Sequence, residues 1–310
     1  MSAALAVILL FAYRQFAESR PVYLVGEPDS GLKLLFDRQL GWRNIPSDSS
    51  VTFGAELTTN AHGFRGPEIA RKKPPGTRRI LVLGDSFAWG LGVPDHEVFT
   101  RVLQERLDSL PTRWEVINAA VSGWGTDQEY LHLVQEGFDF EPDIVILALF
   151  LANDHQGNAT SRMYQRNKPV FLDLDLTVAN VPVPQPDEDA REILTRADPI
   201  RLTAAIVNRI ADACAAHETV FVPMWFGNFM APKYAAADNE VFRESTRFFV
   251  SLLTTRAGIH PLDLDADFAT AGATYDELTL GGADRHWNAT GHKITADIVW
   301  QHLSESSLLE

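Results

Sequence analysis

Cysteine is almost absent. Cys214 stands alone in 310 residues, so no disulfide can form within the chain and a cysteine-bound zinc cluster is excluded. Its surroundings, IVNRIADACAAHE, carry a helical apolar period, which gives the thiol a small, buried, apolar role. Positive charge is scarce as well: 27 Lys and Arg face 41 Asp and Glu, for a net charge of −14. With no basic stripe to release counterions from a phosphate backbone, nucleic acid is not an expected partner. No strand candidate is followed by G-x-x-x-x-G-K-[ST] or G-x-G-x-x-G, so no nucleotide cofactor is expected. Internal repeats are missing. A membrane-spanning apolar run is missing too, because Ala3 to Tyr13 is continuously apolar yet shorter than the roughly 20 residues that cross a bilayer. Nor does that segment have the positive start and small-residue cleavage site of a signal peptide. Two readings of it stand: an N-terminal membrane anchor over residues 1–20, or a helix on or within the protein.

What is present suits one sizeable core, with 45% hydrophobic and 22% charged residues. Residues 21–78 read as a lead-in of short strands and turns closed by a Pro/basic linker, Arg71 to Arg79 (RKKPPGTRR). Residues 79–310 read as the main domain. Strand candidates at Ile80–Leu83, Glu115–Ala119, Ile144–Phe150, Val220–Phe226 and His260–Leu264 alternate with helical periods at Phe99–Leu110, Asp127–Glu136, Ile200–His217 and Asn239–Ala257. A last helix follows from Gly291 to about Leu303. Such alternation predicts an α/β fold: a three-layer α/β/α sandwich with a parallel five-stranded sheet, flavodoxin-like in organisation. Asp154 to Asp198 breaks the rhythm. Its proline spacing predicts a small hairpin and an exposed acidic loop, an insertion overhanging the rim where strands end.

In open parallel sheets, ligands bind at the carboxyl ends of strands. Ser86 follows RRILVLGD, Gly123 follows EVINAAVS and Asn153 follows DIVILALFLA, so all three are expected on that rim. A serine hydroxyl needs a base, an orienter and oxyanion donors before it can attack an ester. The Ser86 and Gly123 amides and the Asn153 carboxamide are the candidate donors. Among nine histidines, His286 has a carboxylate, Asp284, two residues before it in a turn. Asp284 can orient Nδ1 and leave Nε2 to accept the Ser86 proton. Asn288 is a candidate N-cap for the last helix. A metal site of Asp284, His286 and His292 lacks helical His-Glu spacing and ranks below the triad. Trp89, Trp124 and Trp287 beside these motifs suit either substrate stacking or packing.

These blocks resemble the SGNH hydrolases, or GDSL-type esterases, over roughly Ile80 to Leu303: LGDSFAWG, NAAVSGWG, LAND and ADRHWN in order. A bacterial subgroup is similar further back, through TNAHGFRGPE and GTDQEY, and its members often begin with a membrane anchor. The resemblance implies the SGNH fold, with Ser86 as nucleophile, His286 as base, and Gly123 and Asn153 in the oxyanion hole. Two positions depart from the family pattern. The commonest last block has its aspartate three residues before the histidine, where this chain has Ala283. The third block usually begins with glycine, where Ala152 stands here.

The expected activity is a serine esterase acting on short acyl groups, acetyl among them, of a small-molecule or carbohydrate ester. No cofactor and no metal are expected. Two alternatives are an O-acetyltransferase acting on an extracytoplasmic polysaccharide and an inactive carbohydrate-binding protein. An anchor would place the protein outside the cytoplasm, at the periplasm or cell surface, although the cysteine content suits the cytosol equally.

Overall fold

Five apolar runs pair side by side, all parallel: β1 (Thr77–Gly84), β2 (Arg113–Asn118), β3 (Ile144–Phe150), β4 (Val220–Phe226) and β5 (Leu262–Asp263). Their order across the sheet is β5-β4-β3-β1-β2, the doubly wound flavodoxin-like arrangement. The computed structural model describes residues 23–25, 30–227, 236–254, 258–272, 274–281 and 284–310. The anchor expected over residues 1–20 lies outside them, as does Ala283. Among the described residues, no helix is long and apolar enough to cross a membrane.

The three layers follow from the two-residue period of a strand. All of β3 is buried. Ile144, Ile146, Ala148 and Phe150 join one core cluster, while Val145, Leu147 and Leu149 join the other. The first cluster is closed by α2 (Phe99–Leu107) and α9 (Ala289–Glu305), through Phe99, Leu103, Leu107, Ala296, Val299 and Leu303. The second is closed mainly by α5 (Pro199–Ala216) and α6 (Ala236–Leu252), with Leu202, Ile206, Ile210 and Phe249. Fully burying each Val, Leu, Ile or Phe side chain contributes about 1.5–3 kcal/mol. Cys214 lies in this second cluster, and burial pushes its thiol up to about 12.

Three local departures from the sequence pattern have physical causes. β5 is shorter than His260–Leu264, because Pro261 has no N–H to give a ladder; pairing is split into a bridge from Ile259 to Phe221 and the pair Leu262–Asp263. The basic pair read as the end of a linker belongs to β1. Arg79 is fully buried there, its guanidinium paired with Glu115 at 2.9 Å and donating to the carbonyls of Ala70, Arg71 and Phe140. The chain also enters a helix, α4 (Leu151–Asn158), directly after β3. Only beyond it do two small hairpins follow, Arg162–Met163 with Arg166–Asn167 and Val170–Phe171 with Val178–Ala179.

Ahead of the sheet, Tyr23–Val25, Lys33–Asp37 and Gly41–Arg43 form a three-stranded antiparallel sheet, and Ser49–Thr52 pairs with Ala55–Thr58. This segment packs on the main body. Trp42 is fully buried and its indole donates to the Ser122 carbonyl at 3.0 Å, while Trp124 donates to the Trp42 carbonyl at 2.8 Å.

Candidate active site

Ser86 opens a four-residue helix, α1 (Ser86–Trp89), at the carboxyl end of β1. Asp85 caps it, accepting from the Phe87 amide at 2.9 Å. Gly90 ends it in the left-handed region, where its N–H reaches the Ser86 carbonyl at 3.1 Å. The far end of this turn is held by Arg65 of the HGFRG stretch. That buried guanidinium donates to the carbonyls of Trp89, Gly90 and Val93 and pairs with Asp95 at 2.7 Å. One arginine thus bonds three carbonyls at the end of a short helix and its loop, a region where helix carbonyls lack intrahelical partners.

The second rim element follows β2. Val121 donates to the Gly84 carbonyl at 3.1 Å, which ties the turn at Ser122–Gly123 to the end of β1. Gly123 has φ +79, a left-handed backbone that favours glycine, and a Cβ there would press on the Tyr164 ring at 3.1 Å. Asn44, from the lead-in, donates to the carbonyls of Gly63 and Ala120 and holds the same turn from behind.

Asn153 sits in the first turn of α4, rather than in a loop, because the helix starts as soon as β3 ends. Its amide nitrogen donates to the second Asp85 oxygen at 3.0 Å. A carboxamide nitrogen has two hydrogens, so this bond leaves one for a ligand. A single Asp85 carboxylate therefore joins the cap of α1 to Asn153, one of the three expected oxyanion donors.

His286 arrives from the other end of the chain, on the short strand Asp284–Trp287. Its Nε2 lies 2.7 Å from Ser86 Oγ. Its Nδ1 lies 2.7 Å from Asp284 Oδ1, which also accepts the His286 backbone N–H at 2.9 Å. The side-chain hydrogen bond from His286, above all, holds the Asp284 carboxyl below its ordinary range. Asn288 caps α9 by accepting from Gly291 at 3.0 Å, and its amide donates to the carbonyls of Glu277 and Thr279, which fixes the loop. All five sequence-derived residues, Ser86, Gly123, Asn153, Asp284 and His286, line one cleft of about 1170 Å³. The site lies where β1 and β3 adjoin, the point at which strand order reverses.

A family model described as GDSL-like Lipase/Acylhydrolase family matches residues 82–294. The chain belongs to this family. It is accordingly a carboxylic ester hydrolase by family. Among solved structures, this GDSL-family chain is similar to TesA, at 16% identity and TM-score 0.48 over 74% of this chain and 99% of that one. It is also similar to the psychrotrophic esterase EstA from Pseudoalteromonas sp., at 15% identity and TM-score 0.45 over 74% and 97%. A third is Axe2, an acetylxylan esterase from Geobacillus stearothermophilus, at 12% identity and TM-score 0.48 over 73% and 94%. No curated protein matches.

Other residues fall elsewhere than the sequence suggested, or were not anticipated. Trp89, Trp124 and Trp287 are all buried; Trp287 packs on Phe87, Phe226, Phe268 and His292 and offers no face to a substrate. His292 is buried, its Nδ1 accepts from the Phe99 amide at 3.3 Å, and burial lowers it to about 3. Among the described residues, no His, Cys, Asp and Glu group is placed to hold a metal.

The GTDQEY stretch forms the start of α3 (Thr126–Gln135), and its Asp127, Gln128 and Glu129 are all buried. Asp127 pairs with the fully buried Lys168 of the insertion. Asp154 joins them. Burial, reinforced by Asp85, pushes Asp154 well above the usual carboxylate range; burial and then Asp154 do the same to Glu129. Consecutive polar residues at a helix start ordinarily face solvent, so the sequence signals for this buried cluster were its position just after Gly123 and the GTDQEY resemblance. Leu32, Phe36 and Phe53 of the lead-in, with Arg162, Tyr164, Gln165 and Arg166 of the insertion, complete the cleft walls. The insertion residues stand at the rim where the sequence pattern placed that segment, whereas nothing local in the sequence ties the lead-in residues to the serine.

Proposed function

We propose that this chain is a serine esterase working through an acyl-enzyme, with Ser86, His286 and Asp284 as its triad. The observation that carries the reading is the relay of two 2.7 Å contacts, Ser86 Oγ to His286 Nε2 and His286 Nδ1 to Asp284 Oδ1. With Nδ1–H facing the carboxylate, neutral His286 presents a lone pair at Nε2 to the serine hydroxyl. As Oγ bonds to the ester carbonyl carbon, its proton passes to Nε2. The oxyanion so formed is held by the Ser86 and Gly123 N–H groups and the remaining Asn153 amide hydrogen. Collapse breaks the bond to the alcohol oxygen, which leaves with the proton from Nε2. Water then repeats the sequence: His286 takes its proton, the hydroxide oxygen bonds to the acyl carbon, and the Ser86–acyl bond breaks to release the acid and restore the hydroxyl. No cofactor enters these steps.

An ester of a small molecule or a carbohydrate with a short acyl group is the proposed substrate. The test is a panel of p-nitrophenyl esters from acetate to decanoate with Ser86→Ala alongside. Wild type is expected to turn over the short members, and Ser86→Ala to lose at least about 10³-fold in kcat. Equal activity of the two proteins would refute the reading. Covalent labelling of Ser86 by a fluorophosphonate separates an enzyme from an inactive binding protein. Product analysis with an added oligosaccharide separates hydrolysis from acyl transfer.

A further inference from the structure

The hairpin Arg162–Met163 with Arg166–Asn167 turns through only Tyr164 and Gln165. Both have positive φ, 49° and 61°. A two-residue hairpin turn of this kind is ordinarily filled by Asn-Gly, since larger side chains meet the backbone in the left-handed region. Here the pair is Tyr-Gln, and burial does not compensate: Tyr164 is 50% exposed and Gln165 is exposed. What the turn does achieve is placement. Two ring carbons of Tyr164 lie 3.1 Å from where a Gly123 Cβ would stand, so the ring packs on the turn at Gly123, and Tyr164 lines the cleft. Strain retained without burial, next to reacting atoms, marks a functional position.

The same hairpin concentrates positive charge on an otherwise acidic protein. Arg162 is exposed, Arg166 lies over the Trp42 ring at 5.5 Å, and both line the cleft, as does Arg285 beside His286. Residues 162–168 contain no acid. Glu188 and Asp189 also reach the cleft, but from a later loop. Gln165 and Asn167 add amide groups at the same wall.

We propose that this hairpin binds the alcohol part of the ester and selects an acylated sugar that bears a carboxylate, with the sugar ring against Tyr164 and the carboxylate at Arg162. An aromatic face takes the apolar face of a sugar ring, amides take its hydroxyls, and a guanidinium takes the carboxylate. The inference rests on the esterase reading above.

The experiment compares kcat/KM for acetylated oligogalacturonide with that for acetylated xylo-oligosaccharide, which has no carboxylate, and includes p-nitrophenyl acetate as a third substrate. Wild type is expected to favour the oligogalacturonide by about tenfold at low salt, with the preference shrinking as salt screens the exposed arginine. Arg162→Glu is expected to reduce that preference by about tenfold, mainly through KM, because reversed charge repels the carboxylate. Tyr164→Ala is expected to lower kcat/KM for both oligosaccharides. Both side chains are exposed, and a matching thermal transition for each variant establishes that it is folded. If p-nitrophenyl acetate is cleaved in a Ser86-dependent manner but wild type does not prefer the oligogalacturonide, or Arg162→Glu leaves the preference unchanged, the charge selection is overturned while the esterase reading stands. If none of the three substrates is cleaved, both fall.

Discussion

Lys168→Met isolates the buried ion pair that joins the insertion to α3. Lys168 and Asp127 have side chains 0% and 1% exposed, and the ammonium donates to the Asp127 carboxylate and, at 3.1 Å, to the Pro169 carbonyl. Methionine keeps most of the stem and removes the charge. Asp127 is then left with backbone N–H partners, such as that of Gln128 at 2.8 Å, among carboxyl groups of its own sign. Stranding one partner of a buried pair costs about 3–5 kcal/mol. At roughly 2–4 °C per kcal/mol for a domain of this order of size, Tm is expected to fall by about 6–20 °C. Burial already raises Asp127 despite Lys168, and without the lysine its folded-state value rises further. A carboxyl raised on folding is fully stabilised below its unfolded value and loses that stability as pH rises, so the deficit is expected to be larger at pH 8 than at pH 5. Thermal unfolding followed by circular dichroism at both pH values measures this. Lys168→Met/Asp127→Leu removes both charges and is expected to recover most of the loss, because an apolar replacement of a whole buried pair is often near neutral. A loss below about 1 kcal/mol in the single variant, or a double variant no more stable than the single, would refute the account.

Three further outcomes follow from the same geometry. Asn153→Ala removes a proposed oxyanion donor and leaves one Asp85 oxygen without its amide, so kcat is expected to drop by about 10²–10³-fold with little change in KM; an unchanged kcat in a steady-state assay would remove Asn153 from the oxyanion hole. Asp284→Asn keeps the shape beside His286 but can present an amide hydrogen to Nδ1 and favour the wrong tautomer, for an expected loss of about 10²–10⁴-fold in kcat. Retained activity there would show that His286 is oriented by its backbone and by Phe87, whose ring lies 4.7 Å away. Glu129→Gln removes a buried carboxyl whose folded-state value stands well above its unfolded one. Because such a group costs stability as pH rises above the unfolded carboxylate range, the variant is expected to gain in Tm more at pH 8 than at pH 5; a pH-independent difference in scanning calorimetry would contradict that.

The central sheet was legible in the amino-acid order because its strands are buried on both faces and so read as unbroken apolar runs. Ile144–Phe150 and Val220–Phe226 have the same limits in the sequence pattern and in the structure. Parallel strands joined by helices also dictate that strand ends share a rim, which is why Ser86, Gly123 and Asn153 could be grouped before any coordinates. Asp284 and His286 were legible as a local pair, since two residues suffice to bring a carboxylate to Nδ1.

Tertiary structure alone decided how that rim is completed. The 2.7 Å contact between Ser86 and His286 spans 200 positions and depends on the capped loop before α9 docking beside α1. Arg65, Lys168 and the run Asp127–Glu129 look like solvent-facing polar residues one at a time. Partners distant in the chain satisfy four of them: the carbonyls of Trp89, Gly90 and Val93 for Arg65, Asp127 and Lys168 for one another, and the Leu40 carbonyl for Gln128 at 2.7 Å. The Glu129 side chain has no hydrogen-bond partner among the described residues, and burial instead pushes its carboxyl well above the usual range. Local pattern reports which residues prefer an interior, but whether a charge can be buried depends on a partner that only the folded chain brings to it.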